Sequence, residues 1–255
     1  MGKIFLKTPR EIALMRESGR IVSEVLRLLE TFIKPGISTM ELDAIAEDFI
    51  LSQGGIPVFK GYSQNGKGKK FPASICTSVD DAVVHGIPTP IKLQEGEILS
   101  IDVGVTKNGY VGDGAWTFAV GKISEEKLRL MRITEEALYL ALKEAKLGNH
   151  VHDISATVQD FVEANGYSVV RELVGHGVGK SLHEDPPVPN FGKHGEGPRL
   201  KSGMTIAVEP MVNAGKLDVY TDDDGWTVRT RDGFPSAHFE HTIVVTEGEP
   251  DILTI

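Results

Sequence analysis

The sequence predicts an α+β fold in which helices cover an antiparallel sheet and two similar halves are related by a pseudo-two-fold axis. Three observations predict it. The elements run helix, helix and strands, twice; residues recur between the halves at a fixed spacing; and two long apolar segments flank a tight turn. We expect a single domain over residues 1–255, with halves of approximately 1–121 and 122–255.

Two helices open the first half. Thr8-Pro9-Arg10-Glu11 has the N-cap threonine, first-turn proline and third-position glutamate of a helix start. Apolar residues three and four apart then predict one buried stripe, which Lys34-Pro35-Gly36 ends. Ser38 and Glu41 form a second capping box, whose helix ends at Gly54-Gly55.

The second half repeats this order. Ser124 begins a long helix that runs through about Lys146, and a shorter helix runs from about Asp153 to Ala164. At an offset of 112 residues Gly36 matches Gly148, and later the offset becomes 107. A repeat this long indicates a duplicated half-domain and not a solenoid.

A strand hairpin spans Glu97–Gly121, with a turn at Lys107-Asn108-Gly109. Each strand carries one carboxylate, Asp102 and Asp113, and a turn centred near position 107.5 would set them directly opposite, about 4.5–5.5 Å apart at Cβ. Such a pair repels and loses hydration, so either one acid is protonated or a cation lies between them. The alternative is a solvated pair near the turn.

The repeat predicts two more acids at this place. The 107-residue offset matches Asp102 with Glu209, and Glu240 matches Asp113 because each lies eight residues before a glycine. Four converging carboxylates without cations would be strongly destabilising, whereas two divalent ions would balance their charge.

Three histidines lie in loops bounded by glycine or proline: His85, His176 and His183. A single histidine is more often structural, but three beside a carboxylate cluster favour a functional role. Carboxylates with one imidazole suit Mn, Fe, Co or Zn, and they disfavour copper(I) and iron–sulfur chemistry.

Composition limits the class of protein. The net charge is −9 without a long basic run, which argues against a nucleic-acid-binding surface. Cys76 is the single cysteine, so a reducing compartment is expected. The sequence contains no run of about 18 apolar residues, so it predicts no membrane-spanning helix. We therefore expect a soluble cytoplasmic protein with neither a membrane nor DNA as a partner.

Five motifs resemble those of the type I methionine aminopeptidases, which have the pita-bread fold: VVHGIP, IDVGVTKNGYVGD, GHGVGKSLHEDPPVPN, AVEPMV and FEHTIVV. The resemblance covers nearly the whole chain. It implies a catalytic domain with two divalent metal ions, which are held by Asp102, Asp113, His176, Glu209 and Glu240. The interval from Glu209 to Glu240 leaves no room for the helical insertion of type II enzymes.

The resemblance implies removal of the initiator methionine from peptides and nascent proteins with a small second residue. Two metals about 3.5–4 Å apart can share a water and lower its pKa, so that a bridging hydroxide attacks the carbonyl. Glu209 would move the proton, His183 would hydrogen-bond the carbonyl oxygen, and His85 would contact the amide nitrogen. The implied pocket walls are Phe71, Cys76 and Trp226, with ordinary packing as the alternative.

Some expectations stay open. The segment Tyr62–Lys70 is longer and more basic than is usual in this family, which favours a solvated loop, with a transient ribosome contact as the alternative. We expect a monomer acting on peptide and nascent-chain N-termini. Two competing functions are an X-Pro-cleaving aminopeptidase or dipeptidase on the same scaffold and a non-catalytic pita-bread binding protein. The X-Pro enzymes usually carry an additional N-terminal domain, and binding proteins lose metal ligands, whereas all five positions are filled here.

Overall fold

The computed structural model describes residues 2–63 and 68–255, so residues 64–67 of the predicted solvated loop lie outside the described part. The helices are α1 Pro9–Glu30, α2 Thr39–Ser52, α3 Glu125–Lys143 and α4 Val151–Ala164. The strands are β1 Ile56–Pro57, β2 Cys76–Val79, β3 Ala82–Val84, β4 Ile98–Lys107, β5 Tyr110–Ala119, β6 Ser168–Val169, β7 Val174–Gly177, β8 Glu184–Pro189, β9 Thr205–Val208, β10 Met211–Asn213, β11 Val219–Thr221, β12 Val228–Thr230, β13 Ser236–His238, β14 His241–Val244 and β15 Asp251–Ile252.

The helix starts follow the predicted capping chemistry. Glu11 accepts a hydrogen bond from the Thr8 amide at 2.8 Å, and the Thr8 hydroxyl accepts one from the Glu11 amide at 3.4 Å. Helix α4 begins two residues earlier than predicted. The Asp153 carboxylate accepts a hydrogen bond from the His150 amide at 2.7 Å, which makes His150 the N-cap and Asp153 the third helical residue. The predicted ends of α1 and α3 are a few residues too late, at the last turn where helices fray.

The hairpin of β4 and β5 has a register two residues away from the predicted one. Gly104 lies opposite Asp113, and Asp102 lies opposite Ala115. The cause is a two-residue turn at Asn108-Gly109, where both residues have positive φ, 51° and 79°. Direct opposition of the two acids is therefore wrong. A shift of two residues preserves the strand face, so Asp102 and Asp113 are diagonal neighbours on one face.

The strands pair antiparallel throughout the described ranges, but their hydrogen bonds form four groups where one shared sheet was expected. β4 pairs with β1, β2 and β5, and the largest group has the order β15-β14-β9-β7-β8. Where β5 meets β14, a side-chain hydrogen bond takes the place of backbone pairing. The Thr242 hydroxyl donates to the Asp113 carbonyl oxygen at 2.7 Å. The Glu240 amide donates to the Ala115 carbonyl at 2.9 Å beside it. This seam joins the two halves.

Matched loop contacts support the predicted duplication. The Leu93 amide donates to the Ile37 carbonyl at 2.7 Å, and the Leu200 amide donates to the Asn149 carbonyl at the same distance. The two pairs are separated by the offsets of 107 and 112 residues that the sequence predicts. We propose on this basis that the chain is one domain of two equivalent halves, approximately 1–121 and 122–255.

Each half buries its own apolar core between a helix pair and strands. The first core includes Ile21, Leu29, Leu42, Ile50, Leu99 and Ile101. The second includes Leu130, Leu138, Ile154, Val158, Ile206 and Phe239. Trp116 packs against both cores, and its ring meets that of Phe239 at 4.8 Å. Within the described ranges, no helix is long and apolar enough to cross a membrane.

Substitution of Gly19 by alanine tests the packing of α1 against the seam. Alanine normally favours a helix interior over glycine by about 1 kcal/mol. Here, however, a Cβ on Gly19 would overlap the Leu253 carbonyl oxygen. We expect Gly19→Ala to lower the free energy of unfolding by about 1–3 kcal/mol, measured by urea denaturation. The control is Arg20→Ala at the exposed neighbour, within about 0.5 kcal/mol of wild type; a stabilised Gly19→Ala would contradict the packing.

Candidate metal centre

The first-half acids face one cavity from two adjacent strands. Asp102 is on β4 and Asp113 is on β5, and both side chains line a cavity of about 210 Å³. The Asp113 side chain is 5% exposed. Because the hairpin fixes the relative position of these strands over ten residue pairs, the backbones that carry the two carboxylates are held close together.

The second-half acids also face this cavity. Glu209 directly follows β9, and Glu240 directly precedes β14. His241 pairs with Val208, so the same register carried one residue further sets Glu240 opposite Glu209. The duplication thus brings four carboxylates, each from a different strand end or interior, to one point of the molecule.

His176 joins this cluster from β7. One ligand atom each from Asp113, His176 and Glu240 lie within 4.8 Å of one another. The His176 Nε2 atom is 3.6 Å from Asp113 Oδ2 and 3.5 Å from Glu209 Oε1. The glycines beside His176 are required by packing, because a Cβ at Gly175 or Gly177 would overlap a backbone carbonyl of a neighbouring strand.

The carboxylates of this cluster are buried without enough hydrogen-bond partners for all of their oxygens. The oxygens Asp102 Oδ1, Asp113 Oδ1 and Glu240 Oε1 have no hydrogen-bond partner among the described residues. An unsatisfied buried polar group costs about 1–3 kcal/mol, and more when charged. Orphaned carboxylate oxygens beside a neutral imidazole are the ligand atoms that a divalent cation binds, so this donor set fits a metal centre.

Burial shifts the protonation of the cluster. It raises the pKa of Asp102 to about 7 and that of Glu209 to about 8, and it raises the pKa values of Asp113 and Glu240 well above their ordinary range. It also lowers the pKa of His176 to about 3, so this imidazole is neutral and able to act as a ligand.

The other predicted histidines lie beside the acids. His85 follows β3 with φ 58°, and its ring is 6.4 Å from the Trp226 ring. The His183 ring is 4.2 Å from that of His176, and its Nδ1 atom is 2.6 Å from the Tyr62 hydroxyl. Burial lowers the pKa of both His85, to about 4, and His183, so neither is charged at neutral pH.

The predicted pocket walls line the same cavity. Phe71 is 2% exposed, and its ring meets that of Trp226 at 5.3 Å and 80°. Cys76 is buried beside them, and burial raises the pKa of its thiol well above its ordinary value. The structure therefore brings together all ten residues that the sequence singled out: Phe71, Cys76, His85, Asp102, Asp113, His176, His183, Glu209, Trp226 and Glu240.

Sequence reasoning missed further residues at this site. His238 is 2% exposed, and its Nε2 atom is 3.6 Å from Glu209 Oε2. A usable signal existed, since His238 lies two residues before Glu240 and residues two apart in a strand share a face. The apolar residues Phe59, Leu182 and Met211 also line the cavity, and their local sequence carries no such signal. Tyr62, the first residue of the Tyr62–Lys70 segment, lines it too.

Comparisons with known proteins agree with this geometry. The sequence pattern of metallopeptidase family M24 matches residues 13–247. Methionine aminopeptidase 1 of Bacillus subtilis is 56% identical over 251 residues, which cover 98% of this chain and 99% of that protein. The crystal structure of a methionine aminopeptidase from Thermotoga maritima matches with a TM-score of 0.95 at 42% identity, covering 99% of each chain.

A more distant match bears on the fold alone. The prolidase from Pyrococcus furiosus has a TM-score of 0.79 at 23% identity, over 98% of this chain and 65% of that one. The predicted pita-bread α+β fold is confirmed by these structural matches. Because the family pattern matches residues 13–247, which are nearly the entire chain, the chain belongs to metallopeptidase family M24.

Proposed function

We propose that this chain is a methionine aminopeptidase, which removes the initiator methionine from peptides and nascent proteins with a small second residue. One observation carries the proposal: a cluster fit for divalent cations and a wall of apolar side chains share a single cavity of about 210 Å³. A cavity below the usual 300–1,000 Å³ of small-molecule sites suits one side chain and its backbone ends.

Five side chains would hold two divalent ions, of Co, Mn, Fe or Zn: Asp102, Asp113, His176, Glu209 and Glu240. The orphaned oxygens of Asp102, Asp113 and Glu240 support this assignment. When bound, such ions polarise a carbonyl group and lower the pKa of a water molecule. The same acidic cluster would attract the free α-amine of a substrate, which favours cleavage at the chain end over internal cleavage.

The remaining chemistry belongs to three side chains. Glu209 is the proposed proton carrier, taking a proton from the attacking water at Oε and delivering it to the leaving amine. Its position supports this role, since Glu209 lines the cavity within the ligand cluster and its Oε1 atom lies 3.5 Å from His176 Nε2. His183 would donate a hydrogen bond to the carbonyl oxygen as its charge grows, and His85 would contact the amide nitrogen.

The methionine side chain would lie against Phe71, Cys76 and Trp226. An unbranched thioether favours contact with aromatic rings, and the edge-to-face pair of Phe71 and Trp226 offers such a surface. Peptide and nascent-chain N-termini are accordingly the proposed partners. Transient contact with the ribosome, a monomeric state and a cytoplasmic location stay predictions from the sequence.

The competing functions have less support. The prolidase match is at 23% identity, whereas the methionine aminopeptidase relative is 56% identical over the full chain. A non-catalytic protein would have no need to retain five ligand side chains in one cavity, three of them with orphaned oxygens. We therefore retain the aminopeptidase function and test it against X-Pro cleavage.

Substitution of Glu209 tests the proposed reaction. We expect Glu209→Gln to lower kcat for methionine release from Met-Ala-Ser by about 100-fold or more, because the amide cannot carry the proton. The matched control is Glu172→Gln, at an exposed acid that lines the same cavity, and it should stay near wild type. Unchanged turnover in Glu209→Gln would contradict the assigned role.

A pair of peptides tests the substrate class. The metal-loaded protein should release methionine from Met-Ala-Ser and leave Ala-Pro-Ser intact, since the proposed pocket accepts a methionine side chain. Released amino acids are measured by chromatography. Cleavage of Ala-Pro-Ser with Met-Ala-Ser untouched would identify the X-Pro alternative, and no cleavage of either would favour the binding protein.

The stability of the metal-free protein tests the charge balance. Asp102 and Glu209 have folded-state pKa values of about 7 and about 8, above those of an unfolded chain. Above about pH 6.5 the buried histidines with lowered pKa values are neutral in both states, so there the folded state binds more protons than the unfolded state. Its free energy of unfolding therefore falls as pH rises from about 6.5 to about 8. Added divalent cation should therefore stabilise more at pH 8 than at pH 6.5, by urea denaturation. An equal effect at both values would refute this linkage, and Asp102→Asn should reduce the loss of metal-free stability.

A further inference from the structure

Tyr62 contacts one of the proposed catalytic histidines and has no role in the function described so far. Its hydroxyl oxygen lies 2.6 Å from His183 Nδ1, and the two rings meet at 5.5 Å and 60°. Tyr62 also lines the cavity. A distance of 2.6 Å is a short hydrogen bond, well inside the range in which such contacts orient a side chain.

The backbone of Tyr62 is fixed although a long segment follows it. The Tyr62 amide donates to the Phe59 carbonyl at 2.8 Å, and the Phe71 amide donates to the Tyr62 carbonyl at 2.8 Å. The Gly61 amide donates to the Phe71 carbonyl at 2.8 Å. These bonds join the chain on either side of residues 63–70 and hold the backbone of Tyr62 next to that of Phe71.

The backbone of His183 is fixed by other groups. Glu184 Oε1 accepts hydrogen bonds from the backbone amides of Lys180 at 2.8 Å and Ser181 at 3.3 Å. Glu184 Oε2 accepts one from the Lys7 ammonium group at 2.6 Å. The Lys7 and Glu184 side chains are 6% and 11% exposed. With the loop backbone held in this way, the ring rotation and the tautomer of His183 remain to be set, and Tyr62 is the group in contact with the ring nitrogen.

The direction of this hydrogen bond decides the tautomer. Burial raises the pKa of the Tyr62 hydroxyl, so it retains its proton at neutral pH and can donate it. A hydroxyl can donate or accept, so the 2.6 Å contact fits either tautomer; when the hydroxyl donates, Nδ1 is the acceptor and the imidazole proton lies on Nε2. An Nε2–H group is what a developing carbonyl oxyanion needs as a donor.

We propose that Tyr62 is a positioning residue, which fixes the ring and the Nε2–H tautomer of His183 for transition-state stabilisation. This inference rests on the proposed aminopeptidase function. It assigns Tyr62 an effect that passes through His183, in contrast to a role as a wall of the methionine pocket. A wall residue would alter the binding of substrate, whereas a positioning residue alters the chemical step.

Tyr62→Phe tests this, because phenylalanine keeps the ring and removes the hydroxyl. We expect kcat for Met-Ala-Ser to fall about tenfold, the factor that one net hydrogen bond provides, with KM changed less than about twofold. The matched control is Tyr139→Phe, whose hydroxyl lies 3.4 Å from His241 Nε2 on another side of the molecule, and it should leave kcat near wild type.

A double-mutant cycle separates positioning from structure. In a His183→Ala background, adding Tyr62→Phe should cost almost nothing further, since its effect passes through the missing imidazole. An additive loss in the cycle, an increase confined to KM, or an unchanged kcat would each overturn the proposal. Wild-type protein inactive on Met-Ala-Ser would instead overturn the proposed function.

Nitrogen-15 NMR of the imidazoles provides a second readout that needs no activity. In the metal-free wild type, the His183 ring should show the Nε2–H tautomer, with Nδ1 unprotonated. In Tyr62→Phe the His183 signals should shift toward the average of the two tautomers, while those of His241 stay unchanged. Identical His183 spectra in the two proteins would contradict the proposal even if turnover differed.

Discussion

The central constraint on this molecule is that it holds four carboxylates together in one cavity. Within the described ranges, no lysine or arginine pairs with any of Asp102, Asp113, Glu209 and Glu240. The adjacent imidazoles do not compensate, because burial lowers the pKa of His176 to about 3 and that of His238 to about 4. Gathering anions without counter-charge costs more than a small protein can sustain unless the acids are protonated or a cation is bound.

The duplicated architecture explains how such a cluster forms from distant parts of the chain. Each half presents its acids from antiparallel strands whose ladders fix them, and the Thr242 hydroxyl joins the halves at the seam beside Asp113. Separate apolar cores stabilise the two halves, so neither depends on the polar centre for its packing. The packed cores and strand ladders therefore keep the backbone of each half rigid, and the site lies at the seam between the halves.

Much of this was predictable from the sequence because its signals are local. Capping residues such as Thr8 and Ser38 mark helix starts, and the repeat correctly related Glu209 to the acid of the first half. The register of the hairpin was predicted two residues off, since it depends on how Asn108-Gly109 turns, but strand parity preserved the face. The contact between Tyr62 and His183 joins residues that are 121 positions apart, and no periodic pattern in the sequence predicts it.

The division of the strands into four groups also lay beyond sequence reasoning, because hydrogen bonding at the seam is decided by tertiary contacts. The most direct test of the account is a crystal structure grown with manganese and measured by anomalous diffraction. The account predicts two anomalous peaks about 3.5–4 Å apart among the five acidic and imidazole side chains of the cavity. Peaks found elsewhere, or none in a protein that is otherwise well ordered there, would contradict it.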